Sequence, residues 1–357
     1  MPATISLCMI ARNEERFIGQ CLDSVKCLVD EIIVVDTGST DKTKEIALGF
    51  GAKVYDFKWC DNFSAARNES LKHATSDWIL ILDADEVISI EDHSKIKEML
   101  NDTDAAGFLM IQRNYTDKSH AAEWVSTAGD KYKEAKAAAG WFPVPIIRIF
   151  RNDKRVGYSG LVHEKPNDSL MEIGKVALLN VPIHHYGKLD ADKLKEKGKM
   201  YEKIGEEKVK EKKDYYFYFE LGKQYTINKK FDKAVEAFEK SIELKNDFFE
   251  SWYMLGSVYL IKENFDNALS KLKRAQALNH NFGPIYANLG VVYAKKKELK
   301  KAAKNFATAV KLNPKDAASY KNLGMCFDEL GEKEKAYSCF KKAIELNPTY
   351  KDVIKLG

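Results

Sequence analysis

Two aspartates stand two residues apart directly after a short apolar run. Asp83 and Asp85 follow residues 78–82, and side chains two apart on an extended segment face the same side. Paired carboxylates suit one hard divalent cation with its water shell, and all-oxygen ligation fits Mg²⁺ or Mn²⁺, whereas an added imidazole favours Mn²⁺. The sequence therefore predicts a cation site here. The alternative is two carboxylates exposed in a loop.

Polar segments also follow two earlier apolar runs. Residues 5–10 lead into Ala-Arg-Asn-Glu-Glu at 11–15, and residues 32–35 lead into Asp-Thr-Gly-Ser-Thr-Asp at 36–41. Alone, the second of these segments could be only a turn with a helix N-cap. The carboxyl ends of parallel strands meet at one edge of a sheet, so three such segments in succession predict a ligand site at that edge.

The elements that must position these residues alternate along the chain. Apolar runs at 5–10, 32–35, 53–55 and 78–82 predict strands, and the segments between them carry helical spacing, for example at 40–50 and 64–73. Strand, helix, strand repeated in this way predicts an α/β domain with a Rossmann-like, mostly parallel sheet.

Length and composition bound the function. With 357 residues the chain has room for two or three domains, and 45% hydrophobic with 31% charged residues excludes collagen-like and wholly disordered proteins. The 57 Lys and Arg against 53 Asp and Glu give a net charge of +4, which does not indicate nucleic-acid binding. We expect no signal peptide and no membrane span, and hence a cytoplasmic protein. The six cysteines contain no Cys-x-x-Cys pair, so we expect reduced thiols in the core.

The C-terminal part repeats every 34 residues. Leu-Gly pairs recur with glycines at 222, 256, 290 and 324, each followed by an aromatic residue three positions later and an alanine twelve positions later. This pattern resembles the tetratricopeptide repeat, which implies an all-α solenoid of paired helices over residues 215–350. Small residues at Gly222 and Ala234 would let two helices touch closely. We expect residues 351–357 to form a C-terminal tail. We expect residues 189–214, which are rich in Lys and Glu, to form an exposed connecting helix.

The first helices of the repeats predict an apolar groove. Its expected lining in the first two repeats is Tyr216, Phe219, Ile227, Tyr253, Leu260 and Ile261. An apolar groove must be covered by another domain, a second copy of the chain or another polypeptide. We expect a homodimer, a partner protein or an acceptor polypeptide at the repeats.

Residues 1–188 resemble a family 2 glycosyltransferase of the GT-A fold. The segments that carry the resemblance are 9–15 (MIARNEE), 35–41 (VDTGSTD), 62–68 (NFSAARN) and 81–86 (ILDADE). This family transfers a sugar from a nucleoside diphosphate with inversion. With the repeats attached, the whole chain resembles bacterial peptide and protein glycosyltransferases such as the sublancin-type S-glycosyltransferases.

The resemblance implies a donor site for a UDP-sugar. It assigns Asp85 as a catalytic residue and direct metal ligand, and Asp83 to the ribose or a metal-bound water. Asp36 would accept a hydrogen bond from uracil, and Arg67 would help to hold the nucleotide. The remaining residues expected at the donor are Ala11, Arg12, Glu14, Gly38 and Ala84.

The second half of the domain must supply acceptor recognition and a base. By the same resemblance, His163 is the third metal ligand and Glu164 the general base. Alternatively, His163 is an ordinary strand histidine, and His185 is the metal ligand in its place. A cysteine acceptor would need a base less, because thiolate is accessible near neutral pH. Residues 113–145 lack clear periodicity and predict a mobile acceptor lid or a surface insertion.

These observations predict a nucleotide-sugar-dependent hexosyltransferase. The favoured function is a metal-dependent, inverting transfer from a UDP-sugar to a Ser, Thr or Cys side chain of a peptide or protein. One alternative is a glycan or lipid-linked acceptor of the cell envelope. The other is an inactive domain carried by a repeat scaffold.

Overall fold

The chain folds into two units, described here by a computed structural model that covers residues 2–117, 124–159, 166–352 and 354. One unit comprises residues 1–118 and 127–191, and the other comprises residues 119–126 and 192–357. The first is an α/β unit and the second is built from helices. The predicted pairing of an α/β domain with an all-α repeat domain is confirmed.

The apolar runs of the first unit become four parallel strands. These are β1 (Ile5–Ala11), β2 (Glu31–Asp36), β3 (Lys53–Asp56) and β4 (Trp78–Ile81), and they alternate with α1 (Ile18–Val25), α2 (Thr43–Gly49) and α3 (Phe63–Lys72). Strand β1 lies between β2 and β4, and β2 pairs with β3. Nearly every residue of β1, β2 and β4 is buried, because helices cover both faces of such a sheet. The predicted elements are therefore confirmed within three residues.

The second half of this unit adds strands that make the sheet mixed. They are β5 (Glu86–Val87), β6 (Gly107–Thr116), β8 (Gly140–Arg151) and β9 (Val176–His185), with helices α4 (His93–Asn101) and α5 (Asn167–Ile173). The two-residue strand β7 (Val125–Ser126) belongs to the segment 119–126. The sheet order is β3-β2-β1-β4-β8-β6-β9-β5. Strand β8 is antiparallel to both of its neighbours in this order, and β9 is parallel to β6. The parallel part of the sheet is thus mainly its first four strands.

The segment predicted to be an acceptor lid, residues 113–145, is largely ordered. Strands β6 and β8 pair along their whole lengths, from Gly107 opposite Phe150 to Thr116 opposite Gly140, so both ends of the segment belong to the sheet. The prediction of a long loop was wrong, because Pro143 and Pro145 and the run of charged residues hide the alternation that marks a strand. Residues 118–123, which include His120, lie outside the described part.

The cysteines do not all belong to the core. Cys8, Cys21 and Cys326 are buried and Cys339 is half-buried, but Cys27 and Cys60 are exposed, so the expectation holds for four of the six. Burial raises the pKa of Cys8 to about 12, which makes that thiol unreactive near neutral pH.

The second unit consists of helical hairpins. The pairs are α7 (Tyr215–Ile227) with α8 (Phe231–Leu244), α9 (Phe249–Ile261) with α10 (Phe265–Leu278), α11 (Gly283–Lys295) with α12 (Leu299–Leu312), and α13 (Ala317–Glu329) with α14 (Lys333–Leu346). A Cβ atom at Gly222 would lie 2.7 Å from the ring of Phe238, and Gly290 meets Phe306 in the same way. In each of the four helix pairs, a glycine of the first helix thus contacts a bulky side chain sixteen residues later on the second helix, which is Phe or, after Gly256, Leu272.

Helix α6 (Ala191–Glu211) precedes the first hairpin and packs against it. Ile204 is buried, and a Cβ atom at Gly205 would lie 3.0 Å from Leu221. Glu202 accepts hydrogen bonds from Asn228 and Lys230. The many Lys and Glu residues led us to expect an exposed helix, and that expectation was wrong for one face. The apolar face of α6 is buried because it covers the end of the solenoid.

The predicted groove of the repeats is partly buried. Phe219 packs in the core of the first hairpin, whereas Ile227 and Ile261, at equivalent positions of two repeats, are 66% and 53% exposed. Tyr216, Tyr253 and Leu260 are half-buried. Among the helices that the structure describes, none is both long enough and apolar enough to cross a membrane.

Candidate active site

Asp83 lies just beyond β4 and is held by two arginines. Arg67, from helix α3, donates through Nη2 to Asp83 Oδ1, and Arg148, from β8, donates through Nη2 to Asp83 Oδ2 at 2.9 Å. Both guanidinium groups are buried, at 4% and 7% side-chain exposure. Each oxygen of the Asp83 carboxylate therefore faces a fixed positive charge.

A β-bulge aims Arg148 at this cluster. Phe108 of β6 pairs with Ile149 and the next residue, Leu109, pairs with Ile147, so Arg148 is the extra residue of β8. A bulge of this kind turns one side chain away from its regular direction, and such bulges are common beside active sites. Here the guanidinium reaches two carboxylates, those of Asp83 and Glu86.

Glu86 is fully buried and is the other anion of the cluster. Its Oε1 accepts from Arg148 Nη2 at 2.6 Å and from Gln112 Nε2, and its Oε2 accepts from the backbone N–H of Asp83 at 2.8 Å. Burial raises the pKa of Glu86, and the charge of Arg148 opposes that rise. For Arg148, burial lowers the pKa, but Glu86 and Asp83 outweigh it and raise the pKa above its usual range. Two buried cations thus balance two carboxylates.

Asp85 stands beside His185 on the same edge. Asp85 Oδ1 lies 3.5 Å from His185 Nε2, and the backbone N–H of Tyr186 donates to the Asp85 carbonyl at 3.0 Å. The other ring nitrogen, His185 Nδ1, is 2.7 Å from Asn114 Oδ1. A Cβ atom at Gly187 would lie 2.7 Å from His185 Nε2 and overlap Asp85 Oδ2, so a glycine keeps this space open.

Two ligand-type side chains fit a divalent cation at this point. Asp85 supplies a carboxylate and His185 an imidazole nitrogen, a donor set that suits Mn²⁺. Among the described residues, no cluster of three or more His, Cys, Asp or Glu side chains has the spacing of a metal site. His163 and Glu164, predicted as third ligand and base, lie outside the described residues.

The edge formed by β1 and β2 carries the predicted base-binding residues. Ala11 pairs with Asp36 across the two strands, and both are buried. Asp36 Oδ2 accepts from the backbone N–H groups of Gly38 and Ser39 at 3.0 and 2.9 Å, while Asp36 Oδ1 is buried and has no hydrogen-bond partner among the described residues. Gly38 has a φ of +104°, which only glycine adopts without strain.

The segment after β1 is tied to the segment after β2. Asn13 accepts through Oδ1 from the backbone N–H of Thr40 at 2.8 Å, and the backbone N–H of Glu14 donates to Thr43 Oγ1 at 2.7 Å. The side chain of Arg12 is exposed at this edge. In the sheet order, β2, β1 and β4 are neighbours, so the three predicted polar segments do meet along one edge, with Ala84 buried beside Asp83.

Asn68 holds the backbone at Tyr158 by two hydrogen bonds. It accepts from the N–H of Tyr158 at 2.7 Å and donates to the carbonyl of Tyr158 at 3.0 Å. The side chain thus imitates one rung of a β-ladder. Because Asn68 follows Arg67 on α3, the same helix holds Asp83 and the chain at residue 158.

Among the aromatic residues described in the segment 113–145, Tyr115, Trp124 and Tyr132 are buried, whereas Trp141 and Phe142 are half-buried. Tyr115 is buried, stacks on Tyr186 with ring centroids 5.5 Å apart, and its hydroxyl lies 2.7 Å from His184 Nδ1. The guanidinium of Arg113 lies 4.5 Å above the ring of Trp141. Burial lowers the pKa of His184 to about 3, so this histidine is neutral in the folded protein.

Comparison with known proteins places this site in a family. Residues 6–180 match the model described as Glycosyl transferase family 2. The N-terminal unit is a family 2 glycosyltransferase domain. Residues 215–248, 249–281, 284–316 and 317–350 each match a tetratricopeptide repeat model. The resemblance drawn from the sequence is confirmed for both parts of the chain.

Individual proteins match part of the chain at modest identity. The chain is 35% identical over 204 residues to a TPR repeat-containing protein of Synechococcus elongatus, across 55% of this chain and 45% of that protein. It is 28% identical over 245 residues to the SPbeta prophage-derived glycosyltransferase SunS of Bacillus subtilis, across 67% of this chain and 53% of that protein. The chain therefore spans about half the length of these relatives. A solved structure of MamA covers 46% of the chain with a TM-score of 0.41.

Sequence reasoning missed four side chains of this glycosyltransferase domain that the structure brings to Asp83 and Asp85. They are Glu86, Gln112, Asn114 and Arg148. Gln112 and Asn114 lie on one face of strand β6, but Arg113 stands between them, so the sequence shows three consecutive polar residues rather than a period of two. Arg148 gave no such signal, because a bulge cannot be read from the sequence alone.

Proposed function

We propose that the chain is a metal-dependent, inverting glycosyltransferase that moves a hexose from a UDP-sugar to a Ser, Thr or Cys side chain of a peptide or protein. The observation that carries this proposal is the pair Asp85 and His185, 3.5 Å apart, beside a carboxylate fixed by two arginines in a family 2 domain. The diphosphate of a sugar nucleotide needs nearby positive charge, and its base needs a binding surface with matching hydrogen-bond groups.

The nucleoside would lie on the edge of β1 and β2. Asp36 Oδ1 is a buried acceptor without a partner among the described residues, which suits the ring N–H of uracil. Ala11, Arg12 and Glu14 on one side and Gly38 on the other would flank the base. The absence of a side chain at Gly38 leaves open space above that turn.

The diphosphate would lie at the β4 end. Asp85 and His185 would hold the divalent cation, Mn²⁺ or Mg²⁺, which when bound neutralises the charge that grows on the leaving UDP. Arg67 and Arg148 fix the Asp83 carboxylate, so that it presents a constant direction to the ribose or to a water on the cation. The same network holds both the side chain and the backbone N–H of Asp83, and it would thereby position the adjoining Ala84 and Asp85 for the donor.

The acceptor side rests on sequence reasoning. Glu164 remains the proposed base for a hydroxyl acceptor and His163 a further ligand; a thiol acceptor would depend less on Glu164. The repeats would hold the acceptor polypeptide or a second protein, since tetratricopeptide repeats commonly offer such surfaces and Ile227 and Ile261 are exposed. A cytoplasmic location is part of the same proposal.

Release of UDP from a panel of UDP-sugars, with Mn²⁺ and without acceptor, tests the donor chemistry. The wild-type chain should release UDP with one sugar, and a chelator should stop it. Asp85→Asn should lower the rate at least 100-fold at an unchanged Tm, because a carboxylate ligand is lost. Asp23→Asn, which changes an exposed aspartate paired with Lys26, serves as the matched control and should keep the wild-type rate.

Two results would overturn the proposal. Full activity in Asp85→Asn would remove the metal from this position. No UDP release with any donor, together with no UDP binding by calorimetry, would favour an inactive domain on a repeat scaffold. If donor chemistry is present, transfer to peptides against transfer to lipid-linked glycans distinguishes the two acceptor classes.

A further inference from the structure

A chain of buried side-chain hydrogen bonds runs from Glu86 to His185. Gln112 Nε2 donates to Glu86 Oε1, Asn114 Nδ2 donates to Gln112 Oε1 at 3.0 Å, and Asn114 Oδ1 lies 2.7 Å from His185 Nδ1. Glu86, Gln112 and Asn114 are 0%, 7% and 2% exposed. We call these four side chains the relay.

Strand register builds the relay. Asn114 pairs with His185 across β6 and β9, and Glu86 pairs with His185 across β5 and β9. Gln112 lies two residues before Asn114 on the same strand, so both amides project from the same face of the sheet. Polar side chains from three strands are thus brought together where the sheet would otherwise be apolar.

The charge of Glu86 sets the direction of every bond in the relay. Its carboxylate already accepts from Arg148 and from the backbone N–H of Asp83, which are groups that can only donate. Gln112 must therefore turn its NH₂ group toward Glu86 and its carbonyl oxygen toward Asn114. Asn114 in turn donates to Gln112, which leaves its own oxygen to face His185.

The last bond of the relay determines the tautomer of His185. An amide oxygen at Asn114 Oδ1 accepts, so His185 Nδ1 must carry the hydrogen. In the neutral ring Nε2 then has a lone pair, and it points toward Asp85 Oδ1 at 3.5 Å. Two acceptors that face each other in this way suit a cation between them, whereas the opposite tautomer would simply donate to Asp85.

We propose that Gln112 and Asn114 are positioning residues that hold neutral His185 in the Nδ1–H tautomer and so present its Nε2 lone pair, together with Asp85, to a divalent cation. This inference rests on the metal site of the proposed function. The tautomer itself follows from contacts within the protein and exists with or without a metal.

The tautomer can be measured directly on the full chain. Protein labelled with ¹⁵N-histidine, free of metal and at a pH where His185 is neutral, gives ring-nitrogen shifts that distinguish Nδ1–H from Nε2–H. The His185→Gln spectrum assigns the signal. Three variants follow: Asn114→Leu removes the acceptor, Gln112→Met removes the group that orients Asn114, and Asn114→Asp keeps an acceptor at the same place.

The wild type and Asn114→Asp should show Nδ1–H, and Asn114→Leu and Gln112→Met should shift His185 toward Nε2–H. Calorimetric titration with Mn²⁺ should show a 10–100-fold loss of affinity in the same two variants and a smaller change in Asn114→Asp. Their Tm values show whether each variant folds. If Asn114→Leu fails to fold, Gln112→Met and the wild-type spectrum decide.

Failure of the relay and failure of the proposed metal site give different experimental results. An Nε2–H tautomer in the wild type, or a tautomer that stays unchanged in folded Asn114→Leu and Gln112→Met, overturns the relay. An Nδ1–H tautomer in a wild type that binds no Mn²⁺ with or without UDP upholds the relay and overturns the metal site of the proposed function.

Discussion

The two units of this chain are specified over very different distances along the sequence. In the repeats, the decisive contact joins a glycine to a bulky residue sixteen positions later, as in Gly222 with Phe238 and Gly290 with Phe306. In the glycosyltransferase domain, the decisive contacts join Arg67 and Arg148 to Asp83, and His185 to Asp85, across four separate segments. A repeated local contact can be read from spacing, whereas a network across strands depends on register.

The largest change in stability should follow the removal of a buried charge from the first unit. Arg148→Met leaves the buried Glu86 without its cation and the half-exposed Asp83 with one cation fewer, and we expect the first unit to lose about 3–5 kcal/mol of unfolding free energy. Urea denaturation with hydrogen exchange read separately for each unit measures it. Arg155→Met, at an exposed arginine paired with Asp153, should change stability by less than about 0.5 kcal/mol. A loss below about 1 kcal/mol for Arg148→Met would contradict the importance of the network.

A methyl group at a repeat glycine tests the local contact. Gly290→Ala would place a Cβ atom 2.7 Å from the ring of Phe306, and overpacking of this kind costs about 1–3 kcal/mol. Gly283→Ala is the matched control, because its Cβ would make only an ordinary contact at 3.5 Å with Leu312. Thermal unfolding compares the two. Equal stability of both variants would show that the helix pair does not depend on this approach.

Acid should weaken the first unit through His184. Burial lowers its pKa to about 3 from 6.5, so the unfolded chain takes up the proton first as the pH falls, and stability is lost below about pH 6.5. We expect about 1 kcal/mol of this loss between pH 6.5 and 5.5. His184→Phe should reduce the pH dependence of unfolding in that window. An unchanged dependence would show that the pKa of His184 is not lowered in the folded protein.

The smallest effect should come from the exposed side of the repeats. Ile261→Ser changes a side chain that is 53% exposed, so the unfolding free energy should stay within about 0.5 kcal/mol of the wild type. A loss of several kcal/mol, measured by urea denaturation, would mean that Ile261 is covered in solution.

Much of this architecture follows from the sequence. The apolar runs predict strands β1 to β4 because buried parallel strands need continuous hydrophobic residues, and the 34-residue spacing predicts the helix pairs. Asp36, Asp83 and Asp85 were predicted at one edge, since the carboxyl ends of neighbouring parallel strands meet there.

The missed features all depend on pairing between distant segments. The bulge at Arg148 and the pairing of Asn114 with His185 are set by the register of β6 against β8 and β9, which no local pattern encodes. The buried face of α6 was missed because its Lys and Glu residues outnumber the few apolar side chains that contact the first hairpin. The sequence offered His185 as the alternative metal ligand, and the structure has its Nε2 atom 3.5 Å from Asp85 Oδ1.

The most direct test of the account is the position of the cation. Crystals of the full chain soaked with UDP and Mn²⁺ and measured at the manganese absorption edge should show one anomalous peak within bonding distance of Asp85 and His185 Nε2, with the uracil against Asp36. Nucleotide bound elsewhere, or bound at this edge with manganese on neither Asp85 nor His185, would contradict it.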